Sequence, residues 1–209
     1  EDVPIASITN GVHAATWVSR EVRDLLAEQV GIEHALDAAG WESARAIDPA
    51  KLWATKRELR QHLVDDVRSR LRESWVQRGA SEAELGWIDG VMSSDVLTIG
   101  FARRVPSYKR LTLMLSDPQR LKDLLLHPDR PIQMVIAGKS HPADDGGKRL
   151  IQQLVNFADA NDVRHRIVFL PDYDIGMARL LYPGCDVWLN NPLRPLEACG
   201  TSGMKAALN

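Results

Sequence analysis

Cysteine is scarce in this chain: two in 209 residues, Cys185 and Cys199, each among apolar or glycine-rich neighbours. Two thiols without metal-like spacing exclude a disulfide framework and a zinc cluster, and a reduced, cytosolic setting is expected. An excess of charge of either sign is also lacking, with 26 basic against 28 acidic residues and a formal net of -2. No electrostatic footprint for nucleic acid or an anionic membrane follows from that balance. No apolar run approaches the roughly 18 residues of a membrane helix, and no charged-then-apolar leader opens the chain, so neither a span nor secretion is expected. A phosphate-binding P-loop is missing as well. Gly138-Lys139-Ser140 has Gln133 where the loop's first glycine would stand, and Met204 separates Gly203 from Lys205. His141 with Asp144 and Asp145 imitates a metal cluster, but two acids ahead of Gly146-Gly147 read as a turn and helix cap, and no metal is expected.

What is present suits one sizeable core: 44% of the residues are hydrophobic, which at this length implies one domain with an appended element. Residues 1–94 read as an opening segment followed by a helical portion. Ser19 can cap a helix from Arg20 to Val30, with Val22, Leu25, Leu26 and Val30 at helical spacing before Gly31. A longer helix is predicted from Pro49 to Gln77, with Leu52, Leu59, Leu63, Val67, Leu71 and Trp75 on one stripe, and Ser81 with Glu84 suggests another cap. Trp41, Trp53, Trp75 and Trp87 are read as core, and the mixed charges from Lys56 to Arg72 as a solvated face.

Residues 95–209 change character. Short apolar runs at Val96–Phe101, Ile132–Ala137, Ile167–Leu170 and Val187–Leu189 alternate with helical stretches at Lys109–Leu126, Gly147–Ala160 and Ile175–Tyr182. That alternation predicts an α/β fold, a parallel Rossmann-like sheet with flanking helices, whose ligands bind at the carboxyl ends of the strands. The chain begins at Glu1 without a methionine and stops at Asn209 inside a helical pattern, so it is read as a fragment.

The chemistry concentrates after the strand ends. In the last stretch, small residues from Ala198 to Gly203 allow close approach to the backbone before a helix-forming Met-Lys-Ala-Ala-Leu. A helix starting near Thr201 or Ser202 offers free amides to a phosphate. Lys205 follows on the same face, roughly 5.4 Å further along. Pyridoxal phosphate carries both groups such a pair would hold, a phosphate and a lysine-reactive aldehyde. An ordinary glycine-rich turn with a solvated lysine fits the same spacing. Upstream, Phe101 to Arg110 packs five basic or phenolic groups into one loop, namely Arg103, Arg104, Tyr108, Lys109 and Arg110. That composition suits an anion site and also an ordinary basic surface loop. Asn10-Gly11, between short apolar pieces, is first of all a turn.

Glu197 to Asn209, Glu-Ala-Cys-Gly-Thr-Ser-Gly-Met-Lys-Ala-Ala-Leu-Asn, resembles the cofactor segment of the α-glucan (glycogen, starch, maltodextrin) phosphorylases, bacterial type, and upstream segments agree with it along essentially the whole chain. The resemblance implies part of the C-terminal domain of a GT-B glycosyltransferase fold, from its start to the cofactor lysine. It implies pyridoxal phosphate in a Schiff base on Lys205, with Gly200, Thr201, Ser202, Arg103, Trp17 and Tyr173 around the cofactor. It assigns Arg104 and Lys109 to the substrate phosphate, with Tyr108 beside it. Asn10, Glu197, Cys199 and Gly200 fall to the glucosyl unit. Arg103 replaces a lysine, and Cys199 a serine, of the animal enzymes; His13 receives no role.

The activity implied is phosphorolysis of a terminal α-1,4-glucosidic bond to glucose 1-phosphate with retention. Its substrates are an α-glucan and orthophosphate, and the missing N-terminal domain of the same chain would close the cleft. A homo-oligomer is compatible with this reading. The Asp186-Val-Trp-Leu-Asn-Asn-Pro192 pattern also resembles the glycogen and starch synthases, which use a nucleotide sugar and have no need of a lysine at position 205. A non-catalytic fragment of either enzyme is the third alternative.

Overall fold

The computed structural model describes residues 3–31, 44–104, 109–139, 143–197 and 199–209, with Arg104 described in its backbone only. Trp41, Tyr108 and His141 therefore lie outside the described residues, as does the side chain of Arg104.

Local capping chemistry sets most of the helix starts. Helix α1 (Ala14–Trp17) is a single turn, and α2 (Arg20–Gln29) begins where the Ser19 hydroxyl accepts from the Val22 amide at 3.2 Å. Helix α3 (Pro49–Gln77) runs 29 residues, opened by Asp48 and a proline at its first position and followed by Gly79 at φ 90°. Ser81 and Glu84 form the expected capping box of α4 (Glu82–Leu85). Beyond strand β1 (Leu97–Arg104), α5 (Pro118–Leu125) is capped by Asp117. After β2 (Ile132–Lys139), Asp144 caps α6 (Asp145–Ala160) by accepting from Gly147 at 2.8 Å, as the paired acids predict. Strand β3 (Ile167–Leu170), α7 (Ile175–Gly184), β4 (Val187–Trp188) and α8 (Thr201–Ala207) complete the order. No described helix is long and apolar enough to cross a membrane.

The four strands form one parallel sheet in the order β3-β2-β1-β4, an α/β architecture of the Rossmann type. The chain moves outward from β1 to β3 and then returns to the other side of β1. The order reverses between β1 and β4, and in such sheets that reversal opens a crevice at the carboxyl ends.

Side chains alternate across the sheet with the period of two that strands impose. Val135 and Ala137 of β2 join Leu63, Val67, Met177 and Leu181 under α3 and α7, while Met134 and Ile136 join Leu121, Leu154 and Phe157 under α5 and α6. Helix α3 is thus one wall of the sheet's own core. Gln133 is fully buried there, and its amide ties to both backbone groups of Ser93 and to the Thr98 hydroxyl. Arg60, only 1% exposed, donates to Asp186 at 2.5 Å and to the Ser94 carbonyl at 2.6 Å. Removing one partner from such a pair strands a buried charge, which costs about 3–5 kcal/mol.

Three expectations need correction. The predicted helix Lys109–Leu126 is split into a 3-10 segment, Leu111–Ser116, and α5, because Pro118 cannot donate to a continuing helix and Asp117 caps a fresh one. Leu52 and Trp53 are not core, being 44% and 60% exposed. Lys51 to Ala54 are all exposed, since no described layer covers the first turn of α3, and the Arg60 guanidinium lies 4.7 Å over the Trp53 ring. The predicted strand Val187–Leu189 is shorter by one residue, and β1 and β2 extend further toward the crevice than the apolar runs suggest.

Helices α3 and α7 meet at Gly184, where an added Cβ would lie 2.6 Å from the Leu63 Cβ and 3.1 Å from the Leu59 carbonyl. Gly184→Ala is expected to destabilise the chain by about 1–3 kcal/mol through overpacking. Gly90→Ala, with nothing within 4 Å, is expected to change stability by less than about 0.5 kcal/mol. Urea unfolding checks both, and equal midpoints for the two variants would contradict this account of the crossing.

Candidate functional site

The carboxyl end of β1 delivers Ala102 and Arg103 to the crevice, and the segment after β4 delivers Glu197 and Gly200 to Lys205. With Lys109, Tyr173 and Tyr182 they line a cavity of about 460 Å³. Nearly all the described residues singled out in the sequence for cofactor or phosphate binding therefore meet in one place. Arg110 helps hold the two loops together: its backbone is left-handed at φ 51°, and its side chain donates to the Asn191 carbonyl at 2.8 Å.

Glu197 is the electrostatic centre of the cavity. Its carboxylate accepts from Arg103 Nη1 at 2.9 and 3.1 Å and from Lys109 Nζ. Burial alone would raise its pKa, but the Lys109 hydrogen bond and the charges of Arg103 and Lys109 outweigh burial and hold the carboxyl below its ordinary value. Arg103 is 7% exposed, and its Nη2 is buried without a hydrogen-bond partner among the described residues. Three cationic side chains line the cavity against one carboxylate. The excess of positive charge and the free guanidinium nitrogen both favour an anion.

Gly200 shapes the same spot. A Cβ there would lie 2.7 Å from Glu197 Oε1, a carboxylate pinned by two cations, and 3.8 Å from Arg103 Nη2. As the N-cap of α8, Gly200 has no side chain that could accept from the first-turn amides.

Lys205 supplies the amine. Its Nζ lies 4.0 Å from the Trp17 ring centroid and 5.8 Å from that of Tyr182. Burial pulls the amine's pKa below the ordinary lysine value, and the indole face opposes that shift by favouring the charged form. Trp17 meets Tyr182 edge-on at 5.5 Å, and Tyr182 packs against Trp188 at 4.6 Å. The Tyr173 and Tyr182 hydroxyls share a hydrogen bond of 2.9 Å, one donating and the other accepting, and burial raises both phenol pKa values, so both stay neutral. A half-buried aromatic wall, an amine, a helix start without a side-chain cap and an orphaned guanidinium fit a flat aldehyde-phosphate such as pyridoxal phosphate.

The remaining predicted residues lie nearby or outside the description. Asn10 is exposed, and its amide reaches the Cys199 carbonyl at 3.4 Å, next to Gly200. Cys199 is half-buried, whereas burial pushes the Cys185 thiol up to about 12, which keeps it unreactive. His13 contacts the Thr16 hydroxyl at 2.7 Å. The backbone of Arg104 ends β1 beside Arg103, and Tyr108 lies outside the described residues.

Sequence reasoning missed Tyr182, because a tyrosine ahead of Pro183-Gly184 in an apolar helix carries no motif. It also missed a surface group, Glu21, Glu58 and His62, whose ligand atoms lie within 4.8 Å of one another. Only the four-residue spacing of Glu58 and His62 on α3 could have hinted at it, and none of the three lines the cavity.

Comparison with known proteins places the chain in a family. A family model described as carbohydrate phosphorylase matches residues 4–209. The glycogen phosphorylase of Mycobacterium tuberculosis (strain ATCC 25618 / H37Rv) is 63% identical over 209 residues, covering 100% of this chain and 24% of that protein. The glycogen phosphorylase of Aquifex aeolicus is 44% identical, covering 99% of this chain and 30% of that protein. The maltodextrin phosphorylase of Thermococcus litoralis is 37% identical, covering 100% and 25%. The chain thus spans between 24% and 30% of the length of these relatives. With its model matched along nearly the whole sequence, the chain belongs to the carbohydrate phosphorylase family.

Proposed function

We propose that this chain is the cofactor- and phosphate-binding part of an α-1,4-glucan phosphorylase, which transfers terminal glucosyl units to orthophosphate and releases glucose 1-phosphate with retention. The observation that carries the reading is the convergence of the Lys205 amine, the Arg103 and Lys109 cations and Glu197 on one cavity. A nucleotide-sugar synthase would have no use for a half-buried amine set against an indole at that point.

Lys205 would attach pyridoxal 5'-phosphate covalently, with Trp17, Tyr173 and Tyr182 excluding water around the ring. Arg103 and the amides at Gly200, Thr201 and Ser202 would hold the cofactor's phosphate. When bound, the cofactor supplies a phosphate group that exchanges a proton with the substrate phosphate. Lys109, with Arg104 at the end of β1, would hold orthophosphate so that its proton reaches the leaving glycosidic oxygen and its oxygen faces the anomeric carbon. Two phosphates repel each other, and preorganised cations in a partly desolvated cavity offset that repulsion. Tyr108 would neighbour the substrate phosphate.

Glu197 would orient the glucosyl hydroxyls, assisted by Asn10, Cys199 and Gly200, and would serve as a positioning carboxylate rather than a nucleophile. The low pKa of its carboxyl supports a role as hydrogen-bond acceptor at neutral pH. The glucan itself would bind mainly to the rest of the protein, consistent with the small share of each relative that this chain spans. Two unpaired cysteines support a cytosolic setting.

Incubation with pyridoxal phosphate followed by borohydride and peptide mapping is expected to label Lys205 ahead of other lysines near neutral pH, because its amine loses its proton more readily than an exposed lysine. Lys205→Arg, which keeps a cation but cannot condense with an aldehyde, is expected to abolish that label. Labelling spread over surface lysines, or none on Lys205, would overturn the reading. For Glu197→Gln in the complete enzyme, kcat/KM for the glucan is expected to fall by about a hundredfold, since a small misplacement of substrate costs that much. Unchanged kcat/KM would remove Glu197 from the site.

A further inference from the structure

Asn209, just beyond α8, joins stretches of chain that are remote in sequence. Its side-chain oxygen accepts from the Ser19 backbone amide at 2.7 Å, and its side-chain nitrogen donates to the Trp17 carbonyl at 2.8 Å and the Lys205 carbonyl at 2.9 Å. An asparagine amide has one oxygen and two N–H groups, and here both ends are engaged. Its backbone carbonyl accepts from Lys56 Nζ at 3.2 Å, and the same ammonium donates to the Pro183 carbonyl at 2.6 Å and the Cys185 carbonyl at 3.2 Å. Leu208 packs beside Val18, Val22, Leu26 and Leu59.

The two carbonyls that share the Asn209 nitrogen belong to two residues whose side chains meet beside the cavity: Lys205, whose amine lines it, and Trp17, whose ring centroid lies 4.0 Å from that amine. A single planar amide therefore fixes the backbone on both sides of that contact. Side-chain chemistry at 209 is restrictive. Aspartate would keep the acceptor for Ser19 but turn an anionic oxygen toward two carbonyls, and alanine would leave all three groups without this partner.

We propose that Asn209 is a positioning residue for the cofactor lysine: by bridging the main chain of Trp17 to that of Lys205 it sets where the amine stands against the indole wall. The proposal rests on the reading of Lys205 as the residue that holds pyridoxal phosphate. It goes beyond that reading by assigning the geometry of the amine to a residue that touches neither cofactor nor substrate. Lys56 acts on the same junction from α3, holding the backbone of Asn209 against the end of α7.

The test uses the complete enzyme stripped of cofactor, as wild type, Asn209→Ala and Asn209→Asp, with pyridoxal phosphate as the probe. Two quantities are followed: the rate of borohydride-trapped labelling of Lys205 as a function of pH, and the affinity for the cofactor by its absorbance. Both variants are expected to label Lys205 at least about tenfold more slowly at neutral pH and to bind the cofactor about tenfold more weakly, the effect of one or two lost hydrogen bonds. Their labelling profiles are also expected to move toward higher pH, as the amine leaves its desolvated place, while surface lysines label as before. A merely structural role would not move that profile. Wild-type labelling on Lys205 with unchanged rate, affinity and pH profile in both variants would overturn the proposal and leave the functional reading intact. Absence of wild-type labelling on Lys205 would overturn both. Loss of the folded state in both variants would overturn the proposal as well, because Asn209 would then be a residue the fold requires rather than one that places the amine.

Discussion

The structure turns on one electrostatic arrangement: a carboxylate, Glu197, clasped by Arg103 and Lys109, with the Lys205 amine in the same cavity. Three cationic side chains line a partly desolvated space against one carboxylate, an excess of positive charge that favours an anion. An anionic ligand would offset that excess. Both the orphaned guanidinium nitrogen of Arg103 and the glycine at position 200 leave room and donors for one.

The fold delivers these groups through topology. Only a reversal of strand order brings the ends of β1 and β4 side by side, and Arg103 and Glu197, 94 positions apart in sequence, meet across that reversal. Helix α3 stabilises it from below. Its Arg60 and Lys56 reach Asp186 and the end of α7, so the strand that feeds the segment carrying Lys205 is anchored by charges from the helical portion. The opening segment lays Trp17 over Lys205 and fastens there through Asn209.

Much of this was legible in the sequence, for identifiable reasons. Helix starts at Ser19, Asp144 and Ser81 could be read because capping is local chemistry. Strands and sheet class were legible because buried parallel strands are continuous apolar runs. The charged members of the cavity announced themselves by clustering after strand ends. What could not be read depends on distant neighbours. Trp53 looks like core until the first turn of α3 proves uncovered, and Tyr182 looks like core until its ring is found beside Lys205. Asn209 looks like the tail of a motif until its amide is seen to bond residues 190 and 192 positions away. The split before α5 is a different kind of miss, since Asp117-Pro118 is a local stop signal that apolar periodicity overrode.

The central claim is that the Lys205 amine and the Arg103–Glu197–Lys109 group face one ligand site. The most direct measurement is a crystal structure of the complete enzyme grown with pyridoxal phosphate and orthophosphate. The account predicts cofactor density continuous with Lys205 Nζ inside the cavity bounded by Arg103, Tyr182 and Gly200. Density elsewhere, or Lys205 extended into solvent away from Trp17, would contradict it.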